Sequence, residues 1–197
     1  MVLFAGVLAS GVMGWGIVEL LCFGLVQLSF AFAGALTGGA LEHRFESKRS
    51  VQMGLVSAIV ALTIMVGTAP DRILFFWFDP AWEIPIHGVG VFETWPQLIF
   101  LFSAGWAAFS AVVVSTGSRS LLTKITPPSE TGAFFGLYAL ASSATAWLAP
   151  LIIGYVTIET GSQRWGFAPV VGFFAMGLIL LSFVEQRQRG QEEPIAD

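Results

Sequence analysis

Charge is what this sequence has least of. Only 11% of its 197 residues are charged, against 55% hydrophobic and 14% aromatic, and its mean hydropathy is +0.78. An ordinary soluble domain carries about 25% charged residues, so a water-soluble globule is excluded. Cysteine is nearly absent: the single one, Cys22, lies in an apolar run and has no second thiol to pair with. Histidine is limited to His43 and His87, so no His/Cys cluster of metal-ligand spacing exists, and no acid, base and nucleophile gather into a catalytic set. No metal, cofactor or catalytic residue is therefore expected. A basic block is missing too: 9 Lys and Arg stand against 13 Asp and Glu, giving a net charge of -4 spread along the chain. Nucleic acid has no electrostatic footprint to bind.

What the chain does have is long apolar runs. Residues 20–41 carry no charge and are long enough for a tilted helix across a hydrocarbon core about 30 Å thick. The same reading gives spans at about 1–18, 20–41, 51–69, 97–116, 132–157 and 167–184. The expectation is an all-α integral membrane domain of six spans over 1–184, with a tail at 185–197 and no separate soluble domain. Pro150 falls inside the fifth span and deletes one backbone hydrogen bond, which predicts a helix kink. The first run, ending at Trp15, is too short to cross and lacks the basic start of a signal peptide. It reads as a helix whose upstream part is missing. Of the 9 basic residues, only Arg72 and Arg164 fall in the odd-numbered connections; Arg44, Lys48, Arg49, Arg119, Lys124, Arg187 and Arg189 fall on the other side. By the positive-inside rule that side, and the tail, are cytoplasmic, and a cell (inner) membrane is the expected location. The long connection 70–96, with Trp77, Trp82 and Trp95, reads as an external segment lying at the interface.

Ionisable groups in mid-membrane mark proton relays and ion sites, and the middle of every span lacks them. Neutral polarity remains. Most of the Ser and Thr hydroxyls can bond back to a carbonyl one turn earlier. Gln27 cannot, because its amide needs two acceptors and a donor, so it faces either another helix or a wet cavity. Ser103 and Trp106 in span four, and Tyr138, Ser142 and Thr145 on one face of span five, form a second polar group. For the stripe in span five, packing and solute contact stand as equal alternatives. Small residues four apart, at Gly6, Ser10 and Gly14, at Gly34 and Gly38, and at Gly132 and Gly136, permit close helix approach.

Three stretches together resemble one family. GGALEHRFESKR at 38–49 is similar to the short loop motif of the major facilitator superfamily. SRSLLTKITPPSETGAFFGLYALASSATAWLAPLIIG at 118–154 and TGSQR at 160–164 resemble its autophagy-related vacuolar effluxer branch. The resemblance is to the C-terminal six of twelve helices. It implies an alternating-access transporter of small solutes, amino acids among them, partnered by the lipid bilayer and by an N-terminal six-helix half or a second copy. It further implies that Arg44, Lys48 and Arg49 belong to the cytoplasmic gating loop and that Tyr138, Ser142 and Thr145 line the cavity side of the fifth span; Gln27, Ser103 and Trp106 join the candidate substrate cavity, and Arg119 the candidate gating loop, on the residues themselves. The loop motif departs from the superfamily's: its Asp is His43 here, with Glu42 one place early, and its Gly is Glu46. The alternative reading is a non-transporting membrane interaction protein or a fragment of a split transporter gene.

Overall fold

The computed structural model describes residues 2–77, 91–92 and 94–184. Met1, the tail 185–197 and most of the long connection, Trp82 and His87 included, lie outside the described residues. In chain order the elements are α1 (Val2–Met13), α2 (Ile17–Arg44), α3 (Ser47–Gly67), a hairpin of β1 (Arg72–Ile73) and β2 (Phe76–Trp77), α4 (Trp95–Ile125), α5 (Thr131–Ala146), α6 (Leu148–Thr160), α7 (Gln163–Gly166) and α8 (Ala168–Ser182). Five stretches are long and apolar enough to cross a membrane: Ile17–Arg44, Ser47–Gly67, Trp95–Ile125, Thr131–Thr160 and Gln163–Ser182. The chain is an all-α, multi-pass membrane protein. α1, with 12 residues, reaches about 18 Å.

Local chemistry explains where each helix stops. α1 ends because Gly14 sits at φ +68°, in the left-handed region that side chains disfavour. α2 and α3 run past their apolar spans into polar sequence, so only Phe45 and Glu46, both outside the helical region, separate them. α4 starts at Thr94, whose N–H donates to Gln97 Oε1 at 3.4 Å, with Pro96 in the first turn where its missing N–H costs nothing. The fifth span is interrupted at Trp147. Pro150 has no N–H to give to the Ala146 carbonyl, and Pro169 likewise falls just after the break at Phe167.

Packing is centred on α4, which lies against both α2 and α3, with α8 behind α3. Glycine sets these distances. A methyl group at Gly34 would stand 2.7 Å from the Phe109 carbonyl, and one at Gly54 or Gly117 would stand 2.8 Å from a valine methyl of the facing helix. At the hairpin end, Leu8, Trp15, Phe23, Phe100 and Phe167 tie α1, α2, α4 and α8 into one core. Trp15 meets Phe23 and Phe100 edge-on at 5.4 and 5.5 Å. By contrast, no residue of α5 or α6 is buried. Gly132 and Gly136, which the sequence offers as a contact surface, meet nothing within 4 Å.

Candidate functional site

Between α2, α3, α4, α6 and the start of α8 lies a cavity of about 550 Å³. Its wall on α4 is built from Ala104, Ala107, Ala108 and Ala111, so small side chains leave the space open. Ala149, Pro150 and Ile153 face it from α6. Gln27 of α2 also lines it, is only 2% exposed, and among the described residues its amide has no hydrogen-bond partner. Its amide atoms are not fully enclosed as Trp15 Nε1 and Ser50 Oγ are; they open onto the cavity, where a water or solute can pair them. Arg119 lines the same cavity from α4, together with Ser115 and Thr116. Thr116 Oγ1 is spent on the Val112 carbonyl at 2.9 Å.

Ser103 and Trp106 sit elsewhere, in an almost wholly apolar groove of about 620 Å³ between α3 and α4 that Val60, Ala61, Ile64 and Trp95 complete. Ser103 Oγ donates to the Phe100 carbonyl at 2.9 Å. Trp106 Nε1 donates to Ser57 Oγ at 2.7 Å, the Ser57 and Ser110 hydroxyls are 2.9 Å apart, and Ser110 Oγ donates to the Trp106 carbonyl at 2.9 Å. This chain of donors joins α3 to α4 and satisfies each of its polar atoms. Tyr138, Ser142 and Thr145 share a face of α5, as their spacing requires. Ser142 donates to the Tyr138 carbonyl and Thr145 to that of Ala141, both at 2.8 Å. Neither the cavity nor the groove includes them.

At the end where α2 turns into α3, Lys124 of α4 donates to Glu42 Oε1 at 3.2 Å and also to Ser47 Oγ, while Ser47 donates to Glu42 Oε1 at 3.2 Å. Glu42, one place before the motif position that His43 occupies, thus ties α2, α3 and α4 together. Lys48 Nζ donates to the Ser182 carbonyl at 3.0 Å and to that of Val184, capping the end of α8. A cation there is favoured by the helix dipole. Arg44 and Arg49 are exposed and, among the described residues, make no ion pair or hydrogen bond.

The opposite end holds a residue that sequence reasoning missed. Arg164 Nη2 donates to the Gly67 carbonyl at 3.0 Å and Nε to that of Val66, satisfying orphan carbonyls at the end of α3. Its guanidinium lies 5.0 Å over the Phe75 ring and 5.9 Å from that of Trp165. Phe75 N–H also bonds the Gly67 carbonyl at 2.9 Å. These contacts hold the hairpin turn, where Leu74 and Phe75 adopt φ +53° and +67°. Only the TGSQR motif could have signalled Arg164, because its partners are backbone atoms. Lys48 and Arg164 therefore cap reciprocally, each at the start of one of two helical segments and at the end of the other. Among the described residues no group of three or more His, Cys, Asp or Glu side chains could hold a metal ion.

Comparison with known proteins gives one consistent picture. A family model described as "Vacuole effluxer Atg22 like" matches residues 1–194. Autophagy-related protein 22 of Candida glabrata is 28% identical over 153 residues, covering 71% of this chain and 28% of that protein. Autophagy-related protein 22-2 of Penicillium rubens is 28% identical over 197 residues, covering 86% of this chain and 32% of that protein. Autophagy-related protein 22 of Botryotinia fuckeliana is 25% identical over 183 residues, covering 91% and 28%. The chain thus spans less than a third of the length of these curated relatives. No solved structure matches it.

Proposed function

The chain belongs to the vacuole effluxer Atg22-like family, and from that premise we propose that it is one six-helix wall of a major facilitator-type transporter moving small solutes, amino acids among them, by alternating access. The family is described as vacuole effluxers. The observation that carries the reading is the Gln27 amide, which makes no hydrogen bond among the described residues and opens onto an alanine-lined cavity of about 550 Å³, since substrate sites of such transporters lie near the bilayer midplane between two halves. In this reading α1–α3 and α4–α8 are two three-span repeats, inverted because three is odd and the second triplet starts on the opposite side. The polar stripe of half-buried Tyr138 and exposed Ser142 and Thr145 then faces the second half, an N-terminal six-helix unit or a second copy. In this reading Lys124, Glu42 and Lys48 hold the cytoplasmic end, Arg44 and Arg49 remain available to the other half, and the Trp147–Pro150 break is the bending point of the fifth span. The reading also places the protein in the cell membrane with its tail in the cytoplasm, the tail by the bias of the basic loops. A fluorescent fusion found on an internal compartment would replace the first part of that placement.

The test is Gln27→Leu, which keeps the volume and removes the amide. Solute flux in vesicles containing the assembled transporter is expected to fall about tenfold or more, the equivalent of one lost polar contact of about 1.4 kcal/mol or more, while the amount of folded protein stays normal. Unchanged flux would remove the cavity from the pathway.

A further inference from the structure

The groove between α3 and α4 turns its back on the cavity, and we propose that it binds a rigid polycyclic lipid carrying one hydroxyl group, of the sterol class, taken from the leaflet at the hairpin end. With 3.6 residues per turn, Ala104, Ala107, Ala108 and Ala111 put one face of α4 on the cavity, while Trp95, Ile99, Phe102 and Trp106 fall on the opposite face and line the groove. α3 divides in the same way, with Leu62 and Met65 toward the cavity and Val60 and Ile64 toward the groove. The groove therefore opens onto the bilayer, where Val60, Phe102 and Trp106 are 53%, 59% and 40% exposed. Hydrocarbon is what covers it, whether or not the cavity on the other side carries solute.

Depth and chemistry choose among lipids. Trp95 opens α4 at the hairpin end, the level at which tryptophans sit among headgroups, and Trp106 closes the groove further along the same helix. The rise between them is about 16 Å, one leaflet of a hydrocarbon core about 30 Å thick. Inside, no polar group seeks a partner: Ser103 Oγ is spent on the Phe100 carbonyl and Trp106 Nε1 on Ser57. At the mouth Trp95 is 39% exposed, and among the described residues its indole N–H makes no hydrogen bond, so it is free to donate to one hydroxyl oxygen. The walls are stiff. Val60, Ile64 and Ile99 are branched at Cβ, and Phe102 meets Phe30 edge-on at 5.4 Å and runs within 21° of parallel to Trp106. A stiff, preformed groove favours an occupant with little conformational freedom to lose, and fused rings lose far less than an acyl chain.

The test places the chain in phosphatidylcholine nanodiscs with cholesterol that carries a photoactivatable diazirine on its ring system, and maps the adducts by mass spectrometry. Saturable labelling of residues 60–64 and 95–106, displaced by unlabelled cholesterol and not by oleic acid, is expected. Val60→Trp sets a larger ring at the exposed edge of the groove and is expected to weaken binding about tenfold. Trp95→Phe keeps the ring, removes the N–H and is expected to weaken it about fivefold, the size of one neutral hydrogen bond. Leu36→Trp, on the 64% exposed face of α2, is expected to change nothing. Thermal melts in the same nanodiscs check that each variant folds; should Val60→Trp fail to, Trp95→Phe and the displacement by oleic acid still decide. Labelling that never saturates and spreads over every exposed helix, displacement by oleic acid as effective as by cholesterol, or full labelling in folded Val60→Trp or Trp95→Phe would each overturn the assignment.

Discussion

Gly34 has no room for a methyl group. A Cβ there would sit 2.7 Å from the Phe109 carbonyl oxygen, and a backbone atom cannot rotate out of the way as a side chain can. Gly34→Ala must therefore push α2 from α4, and overpacking of this kind costs about 1–3 kcal/mol. Gly136→Ala meets open space and is expected to leave stability unchanged or raise it slightly, since Ala is the better helix former. Thermal melts of the two variants in the same nanodiscs check the contrast; equal melting would contradict the close approach. Each glycine belongs to a pair spaced four residues apart, Gly34 with Gly38 and Gly132 with Gly136, so the pattern was legible while its use was not. A repeat says that two helices can approach, and only the fold says which pair does. Gln27 was the more readable residue, because an amide alone in a charge-free run has few ways to be satisfied. Arg164 was less readable: its partners are the carbonyls of Val66 and Gly67, and every residue has a carbonyl.

Among the elements, the pair α5 and α6 stands apart, since it is apolar enough to span yet buries none of its residues. A stripe of hydroxyls on such a surface is stable in lipid because Ser142 and Thr145 bond back to their own helix. The same stripe is ready to meet another protein surface or a water-filled space. This can be measured with a nitroxide at Ser142→Cys in a Cys22→Ser background, which leaves one thiol in the chain. In the chain alone the label is expected to collide with dissolved oxygen, as in lipid. Joined to a six-helix half it should lose that access and gain access to a water-soluble relaxation agent. No difference between the two states would mean that α5 faces lipid in both. The helices themselves were legible from the charge-free runs, whereas their ends were not. α2 continues through Glu42, His43 and Arg44 because polar residues outside the hydrocarbon still keep helical hydrogen bonds. This extension turned an expected loop into two short residues and brought Glu42 beside Lys124, a pairing that no local sequence pattern announces.

For the molecule as a whole, the two ends are built differently. At the basic end Lys124, Glu42, Ser47 and Lys48 join α2, α3, α4 and α8; at the hairpin end Arg164, Phe75 and the aromatic core around Trp15 do the same work. What lies between is a bundle of α2, α3, α4 and α8 with one cavity wall and a loosely attached fifth span. This wall is expected to conduct solute only when a second half covers it. The direct measurement is counterflow of labelled leucine in proteoliposomes, made once with the chain alone and once with the chain joined to a six-helix N-terminal half. Flux is expected in the joined protein and at background level in the chain alone. Equal flux from the chain alone, or none from the joined protein, would show that the second half does not complete this wall.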